Sequence, residues 1–316
     1  MKHFLLETKN NISKKKLLPI IIILITLILI IILIIIIIMK SSSSSQKKFL
    51  PLICDSNLPQ KNCLGGWFYK IEKKTSEKNS LFVKNHNWNF IFITTNIKTQ
   101  KGKNLLKENS LFLNKNNISI HLMCLEDTFY IDEPKKAYEE ISEILKYVNE
   151  EKINIKGIHI DCEPHAREDW KNGTNDKKNE IFNNYLKVIE YGRKAINEFK
   201  PNITYSGAVA WWYSNKVKNK ELNFGRGFDL VNKDRFDFIV PMIYDGAGGS
   251  VKKVIERSND YFNDNVGVVI GISVKDYDYL IFNNVIEEIK NIRASNQFFY
   301  GISIFANHYY PDWDDF

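Results

Sequence analysis

The stretch of this sequence with the most chemical potential is residues 157–165, which read Gly-Ile-His-Ile-Asp-Cys-Glu-Pro-His. Apolar side chains alternate there with His159, Asp161 and Glu163. Successive side chains of a strand point to opposite faces, so the three ionisable groups share one face. Neighbouring carboxylates repel one another, and burial raises their pKa values. One interpretation is a paired polar layer of the core with Glu163 at a solvated rim. We favour an active site, because unpaired charges at such positions cost stability.

The elements that must position this stretch alternate regularly along the chain. Strands are predicted at 64–69, 89–95, 118–124, 157–163, 203–210, 236–244, 266–273 and 299–305. Helices are predicted at 79–86, 103–115, 134–151, 179–199, 216–222, 250–262 and 280–295. Eight strands alternating with helices over about 250 residues are typical of an α/β protein with a (β/α)8 TIM barrel.

The main alternative to the barrel is a doubly wound open sheet. That fold has a Gly-rich phosphate-binding turn after its first strand, whereas Gly65 and Gly66 lie inside the predicted strand. Only 11 residues follow the last predicted strand, so the closing helix should be short or missing. In a barrel, active sites gather at the C-terminal ends of the strands, which would place Glu163 at the mouth.

The fourth strand resembles a known signature. Family 18 glycoside hydrolases, the chitinases and their relatives, carry Asp-Gly-x-Asp-x-Asp-x-Glu on strand four. Gly157, Asp161 and Glu163 match that pattern, while Lys156 and His159 stand where the family has its first and second aspartates. The Asp-x-Glu-Pro sequence also resembles an uncharacterised group of glycosidase-like barrels, with Trp following it.

A second resemblance lies on strand six, where residues 242–245 read Met-Ile-Tyr-Asp, similar to the Met-x-Tyr-Asp motif of family 18. Two features depart from that family. Residues 121–127 read His-Leu-Met-Cys-Leu-Glu-Asp in place of the strand-three Ser-x-Gly-Gly, and Phe305 replaces the Trp that usually ends strand eight.

The resemblance implies hydrolysis of a glycosidic bond, with N-acetylhexosamine-containing glycans as the specific expectation. Glu163 would be the general acid, and Asp161 would raise its pKa and orient the attacking group. In family 18 that group is the N-acetyl carbonyl of the substrate, an exception to the two-carboxylate rule. Tyr244 would donate a hydrogen bond to this carbonyl, and Asp245 would line the site.

Substrate-binding residues are expected near the same strand ends. His159 shares the polar face of strand four. Trp67, Tyr69, Trp211 and Trp212 lie at or just past strands one and five, where aromatic rings can stack on sugars. Strand alternation predicts that one of Trp211 and Trp212 points away from the lumen.

Four other interpretations remain open. A two-carboxylate mechanism would take its second acid from Asp276, Asp245, Glu126 or Asp127. A metal hydrolase would use the histidines of strand four, but few other strands supply histidine, so we expect no metal and no cofactor. A catalytically inactive, chitinase-like carbohydrate-binding membrane protein would keep the fold without the chemistry. A structural membrane protein with a vestigial barrel would have its mouth plugged by side chains.

The N-terminal 48 residues differ from the rest of the chain. Residues 17–39 carry no charge and are long enough to cross a bilayer as a helix; a cleaved signal peptide is the alternative. They predict a cytosolic basic tail at 1–16, a single-pass signal-anchor helix at 17–39, a Ser-rich linker at 40–48 and a glycosidase-like domain at 49–316. More flanking cations precede the helix than follow it, which favours a luminal or extracellular domain.

Charge and cysteine content narrow the function further. Residues 1–48 hold eight lysines and one acidic residue, which accounts for the whole net charge of +7. The remaining domain is neutral, unlike a nucleic-acid-binding surface, and its oligomeric state is left open. Cys54 and Cys63 are expected to pair in an oxidising compartment, and Cys124 and Cys162 to be buried. Sequons at Asn11, Asn117, Asn172 and Asn202 make the chain a candidate glycoprotein.

Overall fold

Eight parallel strands close into a barrel in the order of the chain. The computed structural model describes residues 53, 54, 57–94, 96–244, 246 and 248–315. The strands are β1 Leu64–Phe68, β2 Phe90–Thr94, β3 Ser119–Cys124, β4 Gly157–Ile160, β5 Thr204–Ala210, β6 Phe238–Met242, β7 Val268–Ser273 and β8 Phe299–Phe305. The predicted TIM barrel is therefore confirmed, and the open sheet is excluded because β1 pairs with β8.

Helices surround the barrel between the strands. They are α1 Ser76–Asn85, α2 Gln100–Lys115, α3 Lys135–Glu150, α4 Glu168–Lys171, α5 Asn175–Phe199, α6 Tyr213–Lys218, α7 Gly227–Leu230, α8 Val251–Asn263 and α9 Tyr279–Arg293. After β8, the described residues form two short 3-10 helices, Asn307–Tyr309 and Trp313–Asp315. The expected absence of a full closing helix is confirmed for this part of the chain.

The strongest helix pattern of the sequence is the apolar stripe of α3. Its members at helical spacing are all buried to within 1% of full burial: Ala137, Ile141, Ile144, Leu145 and Val148. Such a stripe faces the core when it recurs every three or four residues. Pro134 precedes the first helical residue, where its fixed backbone angle and missing N–H are tolerated.

The two glycines of β1 have a packing role. A Cβ at Gly65 would lie 2.0 Å from the carbonyl oxygen of Phe90, and one at Gly66 would lie 2.3 Å from that of Ile304. No side chain fits at either distance. These glycines therefore let neighbouring strands approach, and they are not a phosphate-binding turn.

The end of the barrel where the strands begin is closed by the segment around a disulfide. Cys54 and Cys63 are bonded, with their Cα atoms 5.9 Å apart, as predicted. Ile53 is buried with them against inner side chains of the barrel. Nε2 of His121 lies 2.8 Å from the carbonyl oxygen of Ile53. We call this end of the barrel, with residues 53, 54 and 63, the barrel bottom.

The other two cysteines, Cys124 and Cys162, are free and buried. The predicted transmembrane helix, residues 17–39, lies outside the described residues. Among the helices that the structure describes, none is both long and apolar enough to cross a membrane.

Candidate active site

The polar face of strand four continues past the strand into the mouth of the barrel. β4 ends at Ile160, three residues earlier than predicted, and the backbone N–H of Asp161 still donates to the carbonyl of Cys124 at 3.3 Å. Pro164 then begins a 3-10 helix, since proline has no N–H with which to extend a ladder. Asp161 and Glu163 are therefore held on the short segment between a strand and a turn.

Asp161 sits in a partly buried position beside Tyr69. The hydroxyl of Tyr69 donates to Oδ2 of Asp161 at 3.4 Å. Oδ1 is buried and has no hydrogen-bond partner among the described residues. Burial raises the pKa of Asp161 to about 6, although the hydrogen bond from Tyr69 opposes the shift. Burial and the charges of Asp161, Glu126 and Glu163 in turn raise the pKa of Tyr69, so this phenol stays protonated and can donate.

Glu163 contacts the side chain of His165, two residues later in the chain. Its Oε2 lies 3.3 Å from Nε2 of His165, and Nδ1 of His165 lies 2.8 Å from the hydroxyl of the buried Tyr213. Burial, helped by the charge of Lys171, lowers the pKa of His165 to about 4. The ring is therefore neutral at pH 7, with one nitrogen donating and the other accepting.

The surroundings of the two ring nitrogens of His165 decide which nitrogen has the hydrogen. Tyr213 donates its O–H to Nδ1, so the ring hydrogen of His165 is on Nε2, the nitrogen that lies 3.3 Å from Oε2 of Glu163. A neutral histidine held in this way orients Glu163 without adding charge to the cleft.

Glu163 and Tyr244 line one cavity of about 350 Å³, which we call the Glu163 cavity. Its other lining residues are His165, Ala210, Trp211, Trp212 and Met242. Tyr244 also stacks on Phe305, with ring centroids 4.6 Å apart and planes 5° apart. The structure thus brings Glu163, Tyr244 and both predicted tryptophans together. Asp245 lies outside the described residues.

Both tryptophans face the Glu163 cavity, contrary to the expectation that one would point away. β5 ends at Ala210, so strand alternation no longer applies to Trp211 and Trp212. Trp211 packs against the guanidinium of Arg257, which lies 4.7 Å from its ring. Trp212 meets the ring of His165 edge-on at 5.4 Å. Both are partly exposed and offer flat apolar surfaces to a ligand.

Two residues predicted to bind substrate lie below the floor of the mouth. Trp67 and His159 have no exposed surface, because each is on the strand itself, one layer beneath the mouth. Trp67 supports the rings of Tyr244 and Phe305, at 6.0 and 5.9 Å. In this structure neither residue has a surface that a substrate could contact, which corrects that expectation.

His159 is held inside the barrel by ring packing and one hydrogen bond. Its ring stacks on Phe92 at 3.8 Å, and Nδ1 lies 2.9 Å from Oγ of Ser206. Burial holds the pKa of His159 well below its usual range. A neutral imidazole therefore occupies the place that the family 18 pattern gives to an aspartate.

A second, larger cavity opens at the mouth on the side of β1 and β2. It measures about 580 Å³, and we call it the Glu126 cavity. Its lining residues are Tyr69, Lys70, Ile71, Glu72, Thr94, Asn96, Thr99, Lys101, Gly102, Leu105, Glu126, Phe305 and His308. Loss of surrounding water and the charge of Asp161 raise the pKa of Glu126 to about 7. The interpretation as a structural protein with a vestigial barrel predicted a mouth plugged by side chains. The two cavities contradict that prediction.

The candidates for a second catalytic carboxylate differ in their surroundings. Asp127 caps a 3-10 helix by accepting from the N–H of Phe129 at 2.9 Å. Asp276 accepts from the N–H of Gly246 at 3.2 Å. Each accepts one hydrogen bond from the backbone, although Oδ2 of Asp276 is buried without a partner among the described residues, and Asp245 is outside the described residues. Glu126 is the described candidate that is electrostatically coupled to Asp161.

Sequence reasoning did not assign His165 or Tyr213 to the site, and it named Glu126 only among alternatives. The proximity of His165 to Glu163 in the chain was a usable signal for the first. Tyr213 begins α6, which follows β5, so its contact with His165 depends on the closed barrel. Within the described residues, no group of three or more His, Cys, Asp and Glu side chains could hold a metal ion.

The sequence matches no protein-family model and no curated protein. Solved structures do match. A chitinase from Chromobacterium violaceum aligns with a TM-score of 0.51 at 11% identity, over 77% of this chain and 93% of that one. The chain shares the eight-stranded barrel fold of this chitinase.

Two further structures agree with this fold. A fungal β-1,4-galactanase aligns with a TM-score of 0.50 at 12% identity, over 78% of this chain and 88% of that one. The AHE enzyme from Alicyclobacillus herbarius gives 0.55 at 8% identity, over 79% and 88%. At these identities the likeness establishes the (β/α)8 barrel fold and leaves the reaction to the residues of the mouth.

Proposed function

We propose that this chain is a membrane-anchored glycoside hydrolase in which Glu163 is the general acid. The observation that carries the proposal is that Glu163 and Tyr244 line the same cavity, with Trp211 and Trp212 on its wall. A glycosidase needs a carboxylic acid beside a surface that holds a sugar ring. The glycoside hydrolase-like fold supports this assignment.

The proposed chemistry follows from the positions of three side chains. Glu163 gives its proton to the glycosidic oxygen as the bond from that oxygen to the anomeric carbon breaks. Asp161 orients and stabilises the group that attacks the anomeric carbon, and Tyr244 donates a hydrogen bond to it. In an N-acetylhexosamine-containing glycan that group is the acetamido carbonyl, and water later completes the hydrolysis.

The membrane part of the proposal rests on residues 17–39, an uncharged run of sufficient length for one span. The flanking lysines favour a cytosolic N-terminus and a luminal or extracellular barrel. A disulfide between Cys54 and Cys63 is in keeping with an oxidising compartment. The asparagines of three sequons, Asn117, Asn172 and Asn202, are exposed and would be available for glycosylation there.

A catalytically inactive carbohydrate-binding protein is the second candidate. The observation in its favour is His159, a buried neutral ring where the family 18 pattern has an aspartate. The aromatic walls of the Glu163 cavity would bind sugars with or without catalysis.

The deciding experiment uses the full-length chain in a mild detergent. Wild type, Glu163→Gln and Glu168→Gln are incubated with a panel of natural polysaccharides, whose leaving groups need a proton from the general acid. Glu168 is exposed and does not line the Glu163 cavity, so its variant is the matched control. Hydrolysis by wild type and Glu168→Gln, but not by Glu163→Gln, is the expected result.

Other outcomes have definite meanings. Glycan binding by all three proteins without any turnover would establish the inactive binding protein. Turnover that is equal in Glu163→Gln and wild type would remove Glu163 from the mechanism.

A further inference from the structure

We infer that the Glu126 cavity and the Glu163 cavity together bind one neutral glycan chain that crosses the catalytic carboxylates, so that cleavage is internal. This inference rests on the proposed function and specifies its substrate and mode of action. The ligand is an uncharged oligosaccharide or polysaccharide with sugar units on both sides of the bond that is cleaved.

The first support is the position of the two cavities around the mouth. The Glu126 cavity is lined by residues at the ends of β1, β2, β3 and β8, and the Glu163 cavity by residues at the ends of β4, β5 and β6. Their volumes, about 580 and 350 Å³, both fall in the range of about 300–1,000 Å³ typical of ligand sites. Each cavity alone could therefore hold part of a ligand.

The second support is the thinness of the wall between them. Tyr69 lines the Glu126 cavity and donates to Asp161, and Glu163 follows Asp161 by two residues. Phe305 lines the Glu126 cavity and stacks on Tyr244, which lines the Glu163 cavity. A single layer of side chains separates the cavities, and it contains the proposed catalytic groups. A chain that occupies both cavities must cross these groups.

The lining of the Glu126 cavity suits a sugar. Ile71, Leu105 and Phe305 give apolar surface, and Thr94 and Asn96 give polar groups. Oγ1 of Thr94 is buried without a hydrogen-bond partner among the described residues. Apolar faces with a few convergent polar groups are typical of small-molecule sites, and a sugar ring offers hydroxyls and an apolar face to match them.

Charge selects a neutral glycan. The two lysines of the Glu126 cavity, Lys70 and Lys101, share its lining with Glu72 and Glu126, and because the pKa of Glu126 is about 7, this carboxyl is about half ionised at pH 7. Burial and the charges of Lys70 and Lys275 lower the pKa of His308, so that ring adds no positive charge at pH 7. Among the described residues that line the Glu163 cavity, Glu163 is the one with a charge. The described linings therefore carry at most a small net positive charge, too little to offset a polyanionic chain.

The test fills the Glu126 cavity and leaves the catalytic residues in place. Leu105→Trp adds a bulky ring to its lining. Leu111→Trp is the matched control, since Leu111 lies on the same helix, is 65% exposed and does not line the cavity. Leu105→Ala removes apolar surface without adding bulk, so it tests the same position if Leu105→Trp does not fold. Thermal unfolding is recorded for all three variants.

Binding is measured by titration calorimetry in a Glu163→Gln background of the full-length chain in detergent, so that the probe is not consumed. The probes are dimers and hexamers of N-acetylglucosamine and of β-1,4-linked galactose, and a hexamer of galacturonate. We expect a neutral hexamer to bind more tightly than its dimer, and Leu105→Trp to weaken that hexamer by at least about tenfold. Leu111→Trp should have no effect, and Leu105→Ala should weaken binding by a few fold.

Cleavage by the wild-type chain, in which Glu163 is present, gives a second measurement. A hexamer labelled at its reducing end should release labelled products longer than two units at early times. Release of only the terminal unit would overturn internal cleavage.

The remaining outcomes separate the inference from the proposed function. A neutral hexamer that binds no more tightly than its dimer, or equal affinity in the two Trp variants, would overturn the inference, even if short glycosides are hydrolysed. Galacturonate binding as tight as that of the neutral hexamers would overturn the preference for neutral chains. Hexamer binding that depends on Leu105 without any hydrolysis would keep the two-cavity site and reject the enzyme.

Discussion

The two ends of the barrel treat their polar side chains in opposite ways. At the barrel bottom, both ring nitrogens of His121 have partners, the carbonyl of Ile53 at 2.8 Å and Oγ1 of Thr204 at 3.4 Å. At the mouth, Oδ1 of Asp161 is buried without a partner among the described residues, and the pKa of this residue is raised to about 6. Between them, His159 has one paired nitrogen and one unpaired nitrogen.

This difference separates structural polar groups from functional ones. Buried polar groups in folded proteins are nearly always hydrogen-bonded, and the exceptions concentrate where a ligand or a reaction uses them. The paired His121 locks the disulfide-bonded segment onto the barrel and contributes to stability. At the mouth, Asp161 lacks full pairing, so its ionised form lowers the stability of the fold. We interpret this cost as a sign that the residue has a function. The comparison predicts opposite results for substitutions at the two ends.

Asp161→Asn, at the mouth, is expected to have the largest effect on activity among the substitutions that test the two ends of the barrel. Activity should fall about a hundredfold, because a charged group that stabilises the transition state is lost. Stability should rise at the same time. The folded-state pKa of Asp161 is above that of the unfolded chain, so its ionised form destabilises the fold at pH values above about 6.

The stability gain of Asp161→Asn has a defined pH window. It should be on the order of 3 kcal/mol at pH 7.5 and should vanish as the pH falls to about 3, where the carboxyl is protonated in both states. Chemical denaturation at several pH values measures it, with Asp169→Asn, a surface carboxylate whose pKa is lowered by Arg167, as the opposite control. A variant that loses both stability and activity would show that Asp161 is structural.

The barrel bottom should respond in the reverse sense. Replacing Cys54 and Cys63 by serine opens a link between residues nine positions apart, which should cost about 2–3 kcal/mol of unfolding free energy in the loop-entropy model. Activity per folded molecule should stay at the wild-type level, since the disulfide is at the far end from the mouth. Turnover that falls while the protein remains folded would break the division between the two ends.

A smaller effect is expected at His165, which contacts Glu163 directly. His165→Phe keeps a ring beside Trp212 and removes the Nε2–H group that lies 3.3 Å from the carboxylate of Glu163. Because an N–H group beside a carboxylate favours its ionised form, the alkaline limb of the rate profile should move to higher pH.

Tyr213→Phe is the companion variant for this prediction. It leaves the ring of His165 in place but removes its tether at Nδ1, and it should move the same limb by less. Rates measured from pH 4 to 10 for both variants provide the check. A profile that keeps its shape and falls uniformly would assign His165 to packing alone.

Much of the fold was predictable from local patterns of the sequence. The eight strands and the major helices follow from hydrophobic periodicity, as the stripe from Ala137 to Val148 illustrates. The strand period correctly predicted the start of the polar face of β4, whereas Asp161 and Glu163 follow the last strand residue, Ile160. The disulfide followed from two cysteines beside the first strand.

What the sequence could not provide depends on exact strand ends and on distant contacts. β4 stops at Ile160 and β5 at Ala210, so alternation failed for the paired tryptophans that follow β5. The depth of a side chain in the lumen decided that Trp67 supports the floor instead of binding sugar. The bond between His165 and Tyr213 joins residues 48 positions apart, and only the closed barrel brings them together.

The central claim, that Glu163 is a general acid, is tested most directly by the leaving-group dependence of Glu163→Gln. An acid catalyst matters most for a poor leaving group and little for a phenolate that needs no proton. We predict a loss of about 10²–10⁴-fold on natural glycans and near wild-type rates of glycosidic bond cleavage on 2,4-dinitrophenyl glycosides. An equal loss on both classes of substrate, or no loss on either, would contradict the account.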